Sequence, residues 1–287
     1  MNAPGSPVER AYVRCERAGG VVTLTLDRGE RFNPLSSAMI AALQAALDEI
    51  ANDPHAQVVV LAGAGRGFCA GHDLKEMQAH AGDDAWQRKL FDDCSRMMLA
   101  ITRLPQPVIA RVHGIATAAG CQLVSMCDLA IAADDAKFAL PGVNIGVFCS
   151  TPAVGVGRSI GRKRAMEMLL TGEAVDAATA CEWGLINRAV PASSLDAEVA
   201  RWCEKLCAKS PAVVALGKQA FYRQLEQGME AAYRATGEVM ACNLQHPDAG
   251  EGIAAFLGKR APQWDVPATA KPLEEDLDLS KGKPQQD

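Results

Sequence analysis

Up to about residue 132 the chain alternates short apolar runs with longer amphipathic stretches, and this rhythm limits the possible folds more than any other feature. Val21–Leu26 (VVTLTL) and the runs at 58–62, 107–112 and 129–132 have the length and β-branched content of strands. Between them, 36–50, 85–103 and 120–126 repeat apolar residues at helical spacing, with Ser36 or Ser37 available as an N-cap. Strands separated by helices predict a largely parallel sheet with helical cover, an α/β fold. From Pro152 the pattern turns helical, over 162–171, 177–182, 192–209, 211–227 and 229–242. The expected organisation is a core over 10–190 and a helical C-terminal region over 191–264. The polar, proline-containing segment 265–287 reads as a flexible tail, as do the first nine residues.

At 287 residues the chain is long enough to bury a full core. A net charge of -5 without a basic cluster argues against nucleic acid as a partner. No apolar run has the length of a membrane span, and the N-terminus lacks the apolar region of a secretory signal. Ten cysteines are scattered without CxxC or Cys/His zinc spacing, so no metal site is expected. Unpaired thiols without a signal predict a reducing, cytoplasmic setting.

Two stretches break the pattern of ordinary turns. GRGFCAGHDL, from Gly65 to Leu74, follows the run QVVVLAGA, and HGIATAAGCQL, from His113 to Leu123, follows PVIARV. Each strips side chains from the backbone just after a strand. One reading is a pair of tight turns; the other is a pair of backbone amides aimed at one ligand atom. Two fixed N–H donors suit a thioester that passes through an enolate, because charge then builds on its carbonyl oxygen. A helix beginning at Ala119-Gly120 adds its dipole at the same point.

FCAGHDLKEM, HGIATAAGCQLVSMCDLAIA, GLINRAV and EGIAAFLGKRAPQW, in that order, resemble the crotonase superfamily of enoyl-CoA hydratases and isomerases. The resemblance runs from about Val13 to Trp264. It implies a ββα-spiral core, a helical C-terminal region that makes a homotrimer or a hexamer, and a coenzyme A thioester as substrate with no tightly bound cofactor. It also implies that the amides of His72 and Ala119 form an oxyanion hole. Glu30, Arg31 and Phe32 match the segment beside the CoA adenine and pantetheine; Ala70, Asp73 and Leu74 line the same groove. Phe256 and Lys259 reach in from the final helix, Lys259 toward a phosphate.

The resemblance breaks where hydration needs its acid and base. The two glutamates of the hydratases fall at Gln122 and, in AKFALPGVNIG, at Gly142. An amide has no useful pKa and glycine has no side chain, so neither exchanges a proton near neutral pH. Gln122 keeps the ability to orient a water or a ligand oxygen. Asp73 reads as the N-cap of the LKEM turn rather than a replacement acid, and Asp128 reads as structural. Reactions that need the oxyanion hole without a strong protein base, such as decarboxylation, fit better than hydration. A non-catalytic acyl-CoA-binding protein is the alternative.

Overall fold

The computed structural model describes residues 11–264; the tails expected at 1–9 and 265–287 lie outside the described residues. The chain begins with a hairpin, β1 (Val13–Ala18) and β2 (Val21–Leu26), and passes through α1 (Ser37–Ala51) to β3 (Val58–Gly63). Two helices, α2 (Leu74–Ala79) and α3 (Asp84–Arg103), lead to β4 (Val108–Val112). Next come β5 (Ile115–Thr117), α4 (Ala119–Met126), β6 (Leu129–Ala133) and β7 (Lys137–Ala139). Then α5 (Ser150–Ser159), α6 (Arg162–Thr171), β8 (Val175–Asp176), α7 (Ala177–Trp183) and β9 (Arg188–Val190) follow. Four helices close the described chain: α8 (Leu195–Cys207), α9 (Pro211–Leu225), α10 (Met229–Gln245) and α11 (Pro247–Leu257).

The main sheet has the order β1-β2-β3-β4-β6-β9, parallel except for the β1–β2 hairpin. A second sheet, β5-β7-β8, stands beside it. After β4 and β6 the chain passes directly to the second sheet, while the segment after β3 meets β5 only through a Cys69–Ala116 bridge before entering α2; the glycine turns follow β3 and β4. The expected α/β architecture with a spiral core holds. Strand β3 is buried at every residue, which explains why VVVLAG shows no alternation. Val59 and Leu61 enter the main core with Leu43 and Leu47 of α1 and Met97 and Ile101 of α3. Val58 and Val60 face the other way, with Ile109 and Ile131, against Leu195, Val199 and Cys203 of α8. Helix α8 thus covers the sheet, so the change in composition near residue 190 is not a gap in packing.

The helical region is tied down by a buried ion pair. Lys218 of α9 places Nζ 2.7 Å from Asp128 Oδ2 and donates to the carbonyls of Ile101, at 3.0 Å, and Gln106, at 2.8 Å. All three of its donors are used. Asp128 also accepts from Val108 N–H at 2.6 Å and Tyr222 O–H at 2.9 Å. Burial pushes the Lys218 pKa down, with Asp128 opposing. Charge and hydrogen bonding together make this a joint between α9, the end of α3 and the start of β4.

Candidate functional site

The first turn leaves β3 and the second leaves β4, and hydrogen bonds stitch them together. Phe68 N–H donates to His113 O and Ile115 O at 3.0 Å each, Cys69 N–H to Ile115 O at 3.1 Å, and Thr117 N–H to Cys69 O at 2.9 Å. Glycine is required by this closeness. A Cβ on Gly120 would lie 2.1 Å from Cys69 O. Gly71 has φ +92°, and a Cβ there would lie 2.9 Å from Ala118 Cβ and 3.2 Å from Ala119 N. The side chains are missing because the turns press on each other, a cause the sequence alone did not reveal.

Leu35 brackets the first turn from its far side. Leu35 N–H donates to Gly71 O at 2.8 Å, and Asp73 N–H donates to Leu35 O at 3.3 Å. In such a parallel bridge the N–H of the intervening residue, His72, points away from Leu35. Ala119 is the first residue of α4, so its N–H has no partner within the helix. Among the described residues neither N–H has an acceptor. The His72 amide follows directly on the glycine that touches the Ala118–Ala119 peptide. Ala118 itself has φ +49° and ψ −119°, a strained conformation for a residue with a Cβ, costing on the order of 1–3 kcal/mol. Its N–H is held by Ala139 O at 2.9 Å, which fixes where the next peptide points. Nothing in the letters ATAAG signals this twist.

Side chains around the turns are mostly uncharged. The His72 ring meets the Phe91 ring of α3 edge-on at 5.4 Å, and its Nε2 is buried without a partner. Burial pushes its pKa down to about 4, so the imidazole is neutral near pH 7. Gln122, on the second turn of α4, is 4% exposed, and its Oε1 also lacks a partner. Gly142 opens a loop that folds over it: an added Cβ would lie 2.2 Å from Val147 O and 2.8 Å from Cys149 Sγ. Burial raises the pKa values of Cys149 and Cys121, the latter to about 12, so neither thiol is a ready nucleophile. Among the described residues no cluster of His, Cys, Asp or Glu has the grouping of a metal site.

The structure brings most of the expected groove together. Ala70 N–H donates to Phe32 O at 2.9 Å, and Thr117 Oγ1 donates to Ala70 O at 3.0 Å, linking the 30–32 segment to both turns. Glu30 and Arg31 lie in a 3-10 turn (Gly29–Arg31) that ends at Phe32, φ +59°. Asp73 caps α2 through Lys75 N–H, at 3.0 Å, and pairs with Arg31 Nη2 at 2.8 Å, so its carboxylate is occupied. Leu74 is exposed at the start of α2. Phe256 and Lys259 are exposed at the end of α11, and within one chain no hydrogen bond or ring contact joins them to the turns among the described residues. The Arg31–Asp73 pair, 42 positions apart, had no signal in the sequence.

A mostly parallel main sheet, a smaller sheet beside it and helical cover, with two interlocked glycine turns after β3 and β4, agree with the architecture of the crotonase superfamily. The sequence model of the enoyl-CoA hydratase/isomerase family matches residues 16–267, and the chain belongs to that family. It is 45% identical over 245 residues to a Xenopus laevis protein named enoyl-CoA hydratase domain-containing protein 3, mitochondrial, covering 85% of this chain and 83% of that one. The crystal structure of an enoyl-CoA hydratase of Mycobacterium smegmatis superposes with a TM-score of 0.87 at 54% identity, over 89% of this chain and 99% of that one. Human enoyl-CoA hydratase domain-containing protein 3 superposes with a TM-score of 0.85 at 43% identity, over 88% and 100% of the two chains.

Proposed function

We propose that the protein binds an acyl-CoA thioester with its carbonyl oxygen between the amides of His72 and Ala119. The observation that carries this reading is the pair of N–H groups without acceptors beside Gly71, one of them at the N-terminus of α4. As charge builds on the thioester oxygen, each fixed donor supplies about 3 kcal/mol of stabilisation, and the helix dipole adds to it. Glu30, Arg31, Phe32, Ala70, Asp73 and Leu74 are the groove for the CoA moiety. Asp73 serves there by fixing α2 and Arg31 rather than by touching ligand.

The reaction is one of thioester enolate stabilisation, such as decarboxylation, and not efficient hydration. Hydration needs two groups that exchange protons, and Gln122 and Gly142 offer none. A second reading, an acyl-CoA-binding protein without turnover, is favoured by the loop over Gly142, which leaves no space for an acid there. Phe256 and Lys259 act, in this proposal, on the groove of a neighbouring subunit in a homotrimer or hexamer. A cytoplasmic location stays a proposal beside the mitochondrial names of the vertebrate relatives. Incubation with a panel of CoA esters, followed by mass spectrometry of bound and converted species, tests the reading. Retention of CoA esters with negligible hydration of crotonyl-CoA is expected; no retention of any CoA ester contradicts it.

A further inference from the structure

The tip of the first glycine turn, at Gly65 and Arg66, is held from two sides. On one side stands the 3-10 turn that leads to Phe32. A Cβ on Gly65 would lie 2.6 Å from Gly29 O, and the Arg66 guanidinium carbon is 5.0 Å from the Phe32 ring centroid. On the other side stands the start of the second turn. A Cβ on Gly114 would lie 2.1 Å from Arg66 O, and the His113 ring places Nε2 2.9 Å from Gly65 O. Among the described residues no backbone N–H donates to Gly65 O. Behind the ring, His113 Nδ1 lies 3.2 Å from Arg111 Nη1, and Arg111 Nε lies 2.5 Å from Asp196 Oδ1 in the first turn of α8. These partners fix the ring's proton. A guanidinium only donates, so Nδ1 accepts; a carbonyl oxygen only accepts, so Nε2 carries the hydrogen. Asp196, Arg111, His113 and Gly65 O thus form one directed line of hydrogen bonds from α8 to the turn tip.

We propose that His113 is a positioning residue for the CoA groove, pinning the Gly65 carbonyl so that the turn tip holds the Glu30–Phe32 wall in place before a ligand arrives. This rests on the reading of that wall as part of an acyl-CoA site. Gly65 has φ +75°, and a glycine peptide released from its partner regains many conformations. Ordering it again on binding costs affinity, which a fixed hydrogen bond in the free protein avoids. The far end of the same turn is held separately: Leu35 N–H donates to Gly71 O at 2.8 Å and Cys69 N–H to Ile115 O at 3.1 Å. Loss of the His113 side chain therefore loosens the groove and leaves the His72 amide where it is. His113 touches neither ligand nor reacting atoms in this arrangement. Phenylalanine at this position fills similar space without either hydrogen bond, whereas glutamine keeps one acceptor for Arg111 and a donor for Gly65 O.

Equilibrium dialysis of the full chain with butyryl-CoA, paired with the infrared carbonyl stretch of the ester bound at saturation, tests this. His113→Phe is expected to bind the ester about fivefold more weakly, the size of one neutral hydrogen bond, with the bound stretch unchanged. His113→Gln is expected to bind within about twofold of the unsubstituted protein, a rescue that mere filling of space does not give. Nitrogen-15 spectra of the histidine rings in unsubstituted protein are expected to show the hydrogen of His113 on Nε2, its signal being the one missing from His113→Gln. A hydrogen on Nδ1 overturns the inference even if His113→Phe fails to fold. Equal affinity in His113→Phe, or a glutamine variant as weak as a folded phenylalanine one, overturns the inference alone. A bound stretch that returns to the free value in His113→Phe shows that the ring acts on the thioester end, and overturns its assignment to the groove. No binding of butyryl-CoA or any other CoA ester by unsubstituted protein overturns the thioester reading and the inference with it.

Discussion

Gly142 is the residue whose replacement says most about chemistry. If the chain differed from a hydratase only by two side chains, Gln122→Glu with Gly142→Glu would restore an acid and a base. The structure opposes this, because a Cβ at 142 lies 2.2 Å from the carbonyl oxygen of Val147, a backbone atom. Overpacking of this kind costs about 1–3 kcal/mol and moves the loop. The doubly substituted protein is therefore expected to lose stability by about that amount and to gain no hydration of crotonyl-CoA. Urea unfolding and the absorbance of the enoyl thioester measure the two effects. Activity gained at unchanged stability would mean that the loop over Gly142 opens freely.

At the scale of elements, the joint at Asp128 decides how the helical region holds to the core. Lys218→Met removes one partner of a buried pair and strands two carbonyls, so a loss of about 3 kcal/mol is expected. Tyr222→Phe removes one hydrogen bond to the same carboxylate and is expected to cost about 1 kcal/mol. Urea midpoints of the two variants rank them; equal losses would show that the charge adds nothing. The long elements were legible because each has a strong period or a complete run: α1 begins at its Ser36 cap, and β3 is apolar throughout. Strand β1 was not, because VRCERA is largely exposed at a sheet edge and owes its conformation to pairing with β2. The short strands β5, β7, β8 and β9 carry two or three residues each, too few for a period. They form only where partners from distant parts of the chain are already placed. The segment expected as one helix over 192–209 divides into a 3-10 turn (Ala192–Ser194) and α8. The glycine turns were visible in the letters, but the contact between them and the positive φ of Ala118 are tertiary facts.

For the whole molecule, the exposed apolar side chains of the last helices need cover. Phe221, Leu225, Met229, Tyr233, Met240 and Leu244 are exposed along α9 and α10, and Phe256 and Leu257 end α11. Phe256 is 83% exposed, far more than a large apolar side chain retains in a filled interface. Under the proposed trimer or hexamer these surfaces meet a second copy, and the final helix reaches a neighbour's groove. Light scattering on the intact chain is expected to give three or six times the 30.4 kDa chain mass. Tyr233→Glu with Leu257→Glu is expected to lower it; a monomer in the unsubstituted protein would contradict the assembly. The site itself draws on both sheets, since the His72 turn follows the main sheet and Ala119 follows β5 of the small one.

Polarisation of a thioester carbonyl by two main-chain donors is the centre of the proposed chemistry. Infrared difference spectra of butyryl-CoA labelled with carbon-13 at the thioester carbonyl, bound to the full-length protein and free in buffer, report this directly. A carbonyl stretch at lower frequency is expected when bound, because paired N–H donors draw charge onto the oxygen and weaken the double bond. A bound frequency equal to or above that in water would contradict it.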